Sequence, residues 1–289
     1  MRCACIDIGS NTTRLLVADV ERGLLSPVVE QRAFTRLGRA CTDGATVPDA
    51  ATAAVAEVVA AQAAVAQAQG ARALRVVATA ALRRAANRAE TCRALGAAAA
   101  VTVELLSEGE EARLAFAGAT AAHALAPEER VGVLDVGGAS TQLAVGTTGT
   151  GVAWSTSLAL GSGDLTATCL RSDPPSAGEL DAVRARVAAA LAGLEVPACA
   201  RALAVGGSAT SLRRLAGPLL DRARLGAALD ALNGAPAALV AARAGIDVER
   251  VALLRAGVLV LDAAVALLGP LAVAGGGLRE GVVRELASR

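Results

Sequence analysis

Lysine is missing altogether: all 28 basic side chains of this 289-residue chain are arginine, set against 27 acids, for a net charge of +1. Such a balance makes no long-range field that would gather nucleic acid or settle the chain on a membrane. No basic half is concealed in the total, because the first 113 residues hold 13 Arg and 12 Asp or Glu. With the excess of Ala, the all-Arg usage reads as a compositional bias of the source genome, not as a device for phosphate. Aromatic residues amount to 1%. Trp154 and the two Phe are core candidates, and they make no stacking platform for bases. Histidine occurs once, as His123, at the far end of an expected helix, where packing or a surface role suits it.

Long apolar runs are also lacking. Hydrophobic residues make up 54% and the mean hydropathy is +0.50, yet no charge-free apolar run reaches the length of about 18 residues that a bilayer asks for. The most apolar stretch, 251–268, carries Arg255 and Asp262 and reads as a buried helix. Six cysteines (Cys3, Cys5, Cys41, Cys92, Cys169, Cys199) show no C-x-x-C spacing, which suits reduced thiols better than disulfides or a zinc site. No basic, apolar and cleavage-site sequence leads into the first apolar run, so a cytoplasmic location is expected.

What the chain does have is a phrase used twice. Cys5-Ile6-Asp7-Ile8-Gly9-Ser10-Asn11-Thr12-Thr13-Arg14-Leu15 is echoed by Val133-Leu134-Asp135-Val136-Gly137-Gly138-Ala139-Ser140-Thr141-Gln142-Leu143, at an offset of 135 − 7 = 128 residues. Each copy reads as a strand ending on a carboxylate, a tight Gly turn, and a second strand. Bare amides in such a turn can wrap an anion, so Gly9, Ser10, Asn11 and Thr12 form one expected cradle, and Gly137, Gly138, Ala139, Ser140 and Thr141 the other. A carboxylate at the end of a buried strand is costly unless it binds a cation or collects hydrogen bonds. Asp7 and Asp135 are therefore natural ligands of Mg²⁺ or another hard divalent cation, direct or through water. The plainer alternative is that each caps its own turn. Arg14, on the second strand of the first hairpin, is a secondary phosphate candidate.

The repeat proposes two α/β domains, about 1–125 and 126–289, with a C-terminal helix near 278–289 free to pack back on the first. Strands are expected near 3–8 and 13–20, a helix from Pro48 to Gly70, a strand over 74–79, a basic helix over 80–95, and a strand over 101–105. Ser107 and Glu110 have capping-box spacing at the head of a helix reaching about Leu125. Ser172–Gly178 reads as a loop. Two further strands run into Gly-rich loops, at Gly206-Gly207-Ser208 and Gly275-Gly276-Gly277, the usual way to hold a ligand at the carboxyl ends of a sheet; Gly207 and Ser208 join the phosphate-binding candidates.

Taken together, the double hairpin and the glycine loops resemble the actin-like ATPase superfamily over nearly the whole chain. Asp7 through Leu15, Thr79 through Arg83, Ser107 through Arg113, Asp135 through Thr141 and Gly275 through Gly281 are similar, in order and spacing, to the exopolyphosphatase / guanosine pentaphosphate phosphohydrolase family. The resemblance implies two ribonuclease H-like domains with an active-site cleft between them. It also implies Mg²⁺-dependent hydrolysis of the terminal phosphoanhydride of inorganic polyphosphate, releasing orthophosphate. By the same resemblance Glu111 is the catalytic glutamate that activates water, Arg83 a phosphate-binding arginine and Asp135 a metal-bound catalytic group. Physics alone does not choose Glu111, since Glu108 and Glu110 are equally good first-turn acids.

Three residues depart from the family's pattern. Gln142 stands where a Glu is usual, Ala139 where a third Gly is, and Asp164 where an Arg often is. The chain also stops at Arg289 without the helical extension of longer members, from which a preference for short polyphosphate is expected. Alternatives are guanosine pentaphosphate as substrate, a weakly catalytic sensor that binds guanosine tetraphosphate or polyphosphate, and a sugar kinase. No nucleic acid or membrane partner is expected, and a homodimer stays open.

Overall fold

A computed structural model describes residues 1–40 and 44–288. Two compact units make up the chain: Met1–Gly118 together with Gly276–Arg289, and Ala119–Gly275. In the first, β1 (Arg2–Ile8), β2 (Thr12–Glu21) and β3 (Leu24–Phe34) form an antiparallel meander. After α1 (Leu37–Ala40) and α2 (Asp49–Ala68) come β4 (Ala73–Ala78), α3 (Ala80–Arg83), α4 (Arg88–Ala97), β5 (Val103–Leu105) and α5 (Glu108–Thr120). β4 lies parallel to β1 and β5 parallel to β4, so the sheet order is β3-β2-β1-β4-β5.

The second unit repeats this plan. β6 (Val131–Val136), β7 (Thr141–Thr147) and β8 (Gly151–Leu158) are again an antiparallel meander. There follow α6 (Ser162–Cys169), α7 (Ala177–Leu191), β9 (Arg201–Val205), α8 (Gly206–Ala216), β10 (Leu219–Leu220), α9 (Arg222–Asn233), α10 (Ala237–Ala244), α11 (Val248–Leu268) and β11 (Leu271–Val273); α12 (Leu278–Ala287) ends the chain. The order β10-β11-β9-β6-β7-β8 matches the first sheet with one short strand added at the parallel edge. Two like-ordered sheets in an α/β chain are what the repeat led one to expect.

Both faces of the first sheet are covered, which is why β1 reads as a continuous apolar run from Cys3 to Ile6. Ala4, Ile6 and Ile8 face Val55 and Val59 of α2. Cys3 and Cys5 face Leu114 of α5 and Leu278, Val282 and Val283 of α12. α5 and α12 meet backbone to backbone: a β-carbon on Gly118 would overlap the Gly277 carbonyl, and one on Gly281 would overlap that of Leu114. The Gly276–Gly281 stretch thus serves this crossing, which a ligand-loop reading of those glycines did not anticipate. In the second unit α11 runs through the core, with Leu254, Ala256, Val258 and Leu261 buried among residues of the sheet, α7, α9 and α10.

α2 and α11 both have the length and apolar composition of a bilayer span; 61% of the α11 window is buried inside the protein, against 22% for α2. That burial is what gives α11 its apolar, nearly unpatterned sequence.

Local expectations needed three corrections. The helix expected over 80–95 is broken, because the side chain of Asn87 accepts from Val47 N–H (2.8 Å) and donates to the Val47 carbonyl (3.1 Å), pinning the chain between α3 and α4. α5 stops at Thr120 and not near Leu125; His123 lies beyond it, its N–H closing a turn on the Thr120 carbonyl at 3.1 Å. Of the capping box, Ser107 Oγ does accept from Glu110 N–H (3.2 Å), while the Glu110 carboxylate is taken by Arg113 at 2.7 and 3.0 Å. Cys3, Cys5, Cys92, Cys169 and Cys199 are free thiols; Cys41 lies outside the described residues.

Candidate phosphate site

In the first unit the turn after β1 is closed by Gly9 N–H donating to the Thr12 carbonyl at 3.0 Å. Its other carbonyls are engaged from outside: Ser10 accepts from Gly38 N–H (2.7 Å), and Asn11 from Thr35 and Arg36 N–H (3.1 Å each). Among the described residues, the Ser10 and Asn11 N–H groups donate to no backbone carbonyl, which leaves them available to an anion. Asp7 sits at the end of β1 on the face shared with Cys3 and Cys5, directly across from Arg14. Its Oδ1 is buried without a hydrogen bond. Burial pushes its carboxyl above the ordinary range, against the pull of Arg14 and Arg279. Arg14 is pushed down in turn, by burial first and then by Arg279. Arg279 itself donates to the Leu15 carbonyl (3.3 Å) and to Glu30 (3.1 Å).

α3 and α5 follow the parallel strands β4 and β5, so their first turns stand at the same carboxyl edge as Asp7. Arg83 Nη1 donates to Glu111 Oε2 at 2.5 Å and to the Leu106 carbonyl at 3.0 Å. The structure separates the three first-turn acids that residue chemistry alone left equivalent. Glu108 is exposed, Glu110 belongs to a surface pair with Arg113, and Glu111 is 6% exposed and held by Arg83.

In the second unit Gly137 N–H donates to the Ser140 carbonyl at 2.9 Å, the same bond 128 residues on. Here α6 anchors the turn: Ser162 N–H reaches the Gly137 carbonyl (2.9 Å), and Gly163 and Asp164 N–H reach that of Gly138 (2.8 and 3.0 Å). Gly161 lies so close that a β-carbon there would overlap Gly138. Asp135 ends β6 against the β9–α8 junction, where Gly206 has φ +85° and a β-carbon would overlap the Asp135 carboxylate. Opposite Asp135 stands Gln142, whose amide donates to Ser140 Oγ at 2.7 Å.

Not every expected donor points outward. The Thr141 hydroxyl donates to the Leu160 carbonyl at 2.5 Å, which leaves the turn its backbone and Ser140. Ser208 Oγ is buried against Gly257, where a β-carbon would sit 2.5 Å away; its remaining asset is an N–H in the first turn of α8. Ala139 is 2% exposed and its side chain packs inward. One group was missed: Arg250, 8% exposed, lays its guanidinium beside Gly207, 2.6 Å from where a β-carbon would be. Nothing near the loop signals it, because it comes from the head of α11.

Among the described residues no group of three or more His, Cys, Asp or Glu is placed to hold a metal. A Mg²⁺ ion keeps several waters and takes one or two carboxylates plus phosphate oxygens, and the buried, unpartnered Asp7 Oδ1 fits such a role.

The Ppx/GppA phosphatase family model matches residues 16–289. The chain belongs to the Ppx/GppA phosphatase family. Exopolyphosphatase 2 of Mycobacterium tuberculosis is 34% identical over 228 residues, 74% of this chain and 70% of that one. An uncharacterised protein of Streptomyces coelicolor is 34% identical over 98% of this chain and 89% of its own. Among solved structures, the Aquifex aeolicus Ppx/GppA family member superposes with a TM-score of 0.82 at 26% identity, covering 100% of this chain and 98% of that one. The two like-ordered sheets are accordingly those of the actin-like ATPase fold, as the resemblance implied. The first unit holds the buried Glu111–Arg83 pair, and each unit holds one anchored Asp-Gly turn.

Proposed function

We propose that this Ppx/GppA phosphatase is a Mg²⁺-dependent exopolyphosphatase that hydrolyses the terminal phosphoanhydride of inorganic polyphosphate. One observation carries the reading most: the same Asp-Gly turn, closed by the same backbone hydrogen bond, occurs twice, in a chain that also buries a carboxylate on an arginine. The named exopolyphosphatase among the relatives supports polyphosphate as first substrate.

In this reading Glu111 orients a water and takes its proton as the water oxygen attacks the terminal phosphorus. The bridging P–O bond breaks, orthophosphate leaves, and the shortened chain keeps the bridging oxygen. Arg83 holds Glu111 in place and offers a second guanidinium nitrogen to a phosphate oxygen. Turn amides of Gly9–Thr12 and Gly137–Ser140, with the Ser140 hydroxyl, bind non-bridging oxygens. Asp7 in the first unit and Asp135 in the second are each a carboxylate that would hold Mg²⁺, whose charge would offset that of phosphoryl oxygens.

Orthophosphate release from polyphosphates of defined length, with Mg²⁺, tests the reading. Glu111→Gln should slow release roughly 10²- to 10⁴-fold, the range for losing a general base. Equal rates for the two proteins would discard the hydrolase in favour of a sensor, and ATP consumption that depends on a sugar would favour a kinase.

A further inference from the structure

Gln142 stands across the β6–β7 pair from Asp135, the position that the 128-residue repeat makes the counterpart of Arg14 across from Asp7. It is 2% exposed. Its amide nitrogen donates to Ser140 Oγ at 2.7 Å and to Ser157 Oγ at 3.3 Å. These bonds have a direction. A hydroxyl that accepts in this way keeps its proton for another acceptor, and Ser140 belongs to the turn itself. A carboxylate at 142 has lone pairs only, so both serines would turn their protons inward, and Ser140 would present a lone pair to any phosphate in the turn. It would also set a second negative charge beside Asp135. Both changes oppose an anion unless a cation intervenes.

We propose that Gln142 is a positioning residue that fixes Ser140 as a hydrogen-bond donor to the substrate phosphate and leaves the second turn with one carboxylate, so that phosphate binding at this turn depends little on divalent cation, the Mg²⁺ dependence proposed above belonging to the hydrolytic step. This rests on the polyphosphate reading above. A Gln here is therefore a specificity element: it shifts the turn from holding cation and anion together towards holding the anion directly.

Titration calorimetry with inorganic tripolyphosphate on the full chain, in EDTA and again in Mg²⁺, tests it. The native protein should bind in both. Gln142→Glu should bind at least about tenfold more weakly in EDTA, because one like charge is added beside the anion, and recover most of that loss in Mg²⁺. Gln142→Met, which removes the donor without adding charge, should lose about threefold with no recovery in Mg²⁺, and it carries the test if Gln142→Glu does not fold. Native-like binding in EDTA by whichever variants fold would overturn the inference while leaving the polyphosphate reading standing. Failure of the native protein to bind tripolyphosphate in either buffer would instead sink that reading.

Discussion

Glu111 and Arg83 make the sharpest statement at the level of single residues. Their side chains are 8% and 15% exposed, so the pair is buried enough that removing one partner strands the other away from water. Such removals cost about 3 kcal/mol or more when burial is complete; with this residual exposure about 2 kcal/mol is expected for Arg83→Gln, read as a shift in urea midpoint. Arg83→Lys should restore stability only in part, since one guanidinium nitrogen serves both Glu111 and the Leu106 carbonyl and an ammonium lacks that planar geometry. Phosphate release separates the roles: both substitutions should lower kcat per folded molecule, measured where the variants are fully folded, while a purely structural arginine would leave that kcat unchanged. The family resemblance singled out Glu111 in the sequence, whereas residue chemistry alone left three first-turn acids equivalent; what distinguishes it physically is burial, which arises from Ala112, Leu114 and Ala115 turning the same helix face inward.

At the level of elements, hairpins and turns were legible because their signals are local, whereas segments fixed by distant partners were not. β3 went unread: Pro27 interrupts its alternation, and the strand tolerates it at the sheet edge opposite an irregularity between Val17 and Ala18. Asn87 breaks a helix only because Val47, 40 residues earlier, offers both a donor and an acceptor. α7 shows a local device inside what was read as a loop. Ser176 and Glu179 form a capping box, and Glu179 also accepts from the Ser172 hydroxyl and the Arg171 and Ser172 N–H groups. Those bonds hold its carboxyl far below its ordinary 4.5. For a carboxyl depressed in the folded state, the stabilisation is fully present above the unfolded value and is lost as pH falls below it. Glu179→Ala should therefore lower the melting temperature at pH 7, and the difference from the native protein should shrink steadily below about pH 4.5. A difference that is constant from pH 7 to pH 3 would assign the effect to helix propensity and not to the ionised cap.

For the molecule as a whole, the 128-residue offset carried the most information, since a duplicated strand-turn-strand phrase required two like sheets. What it did not carry was the cost of close packing, or the long-range partners Arg250, Arg279 and Ser157. Each unit has its own sheet and core, and the sole tryptophan, Trp154, packs against the core of the second. Its fluorescence therefore reports the second unit, while circular dichroism reports helices of both. Gly281→Ala forces a methyl group into the Leu114 carbonyl at the α5–α12 crossing, in the first unit. Overpacking of this kind costs about 1–3 kcal/mol, and the neighbour here is backbone with little freedom to give. In urea, Gly281→Ala should bring part of the dichroism transition to lower concentration and leave the Trp154 midpoint where it was. If both probes move together by the same amount, the two cores melt as one cooperative body, and the duplication seen in the sequence has no counterpart in how the folded chain comes apart.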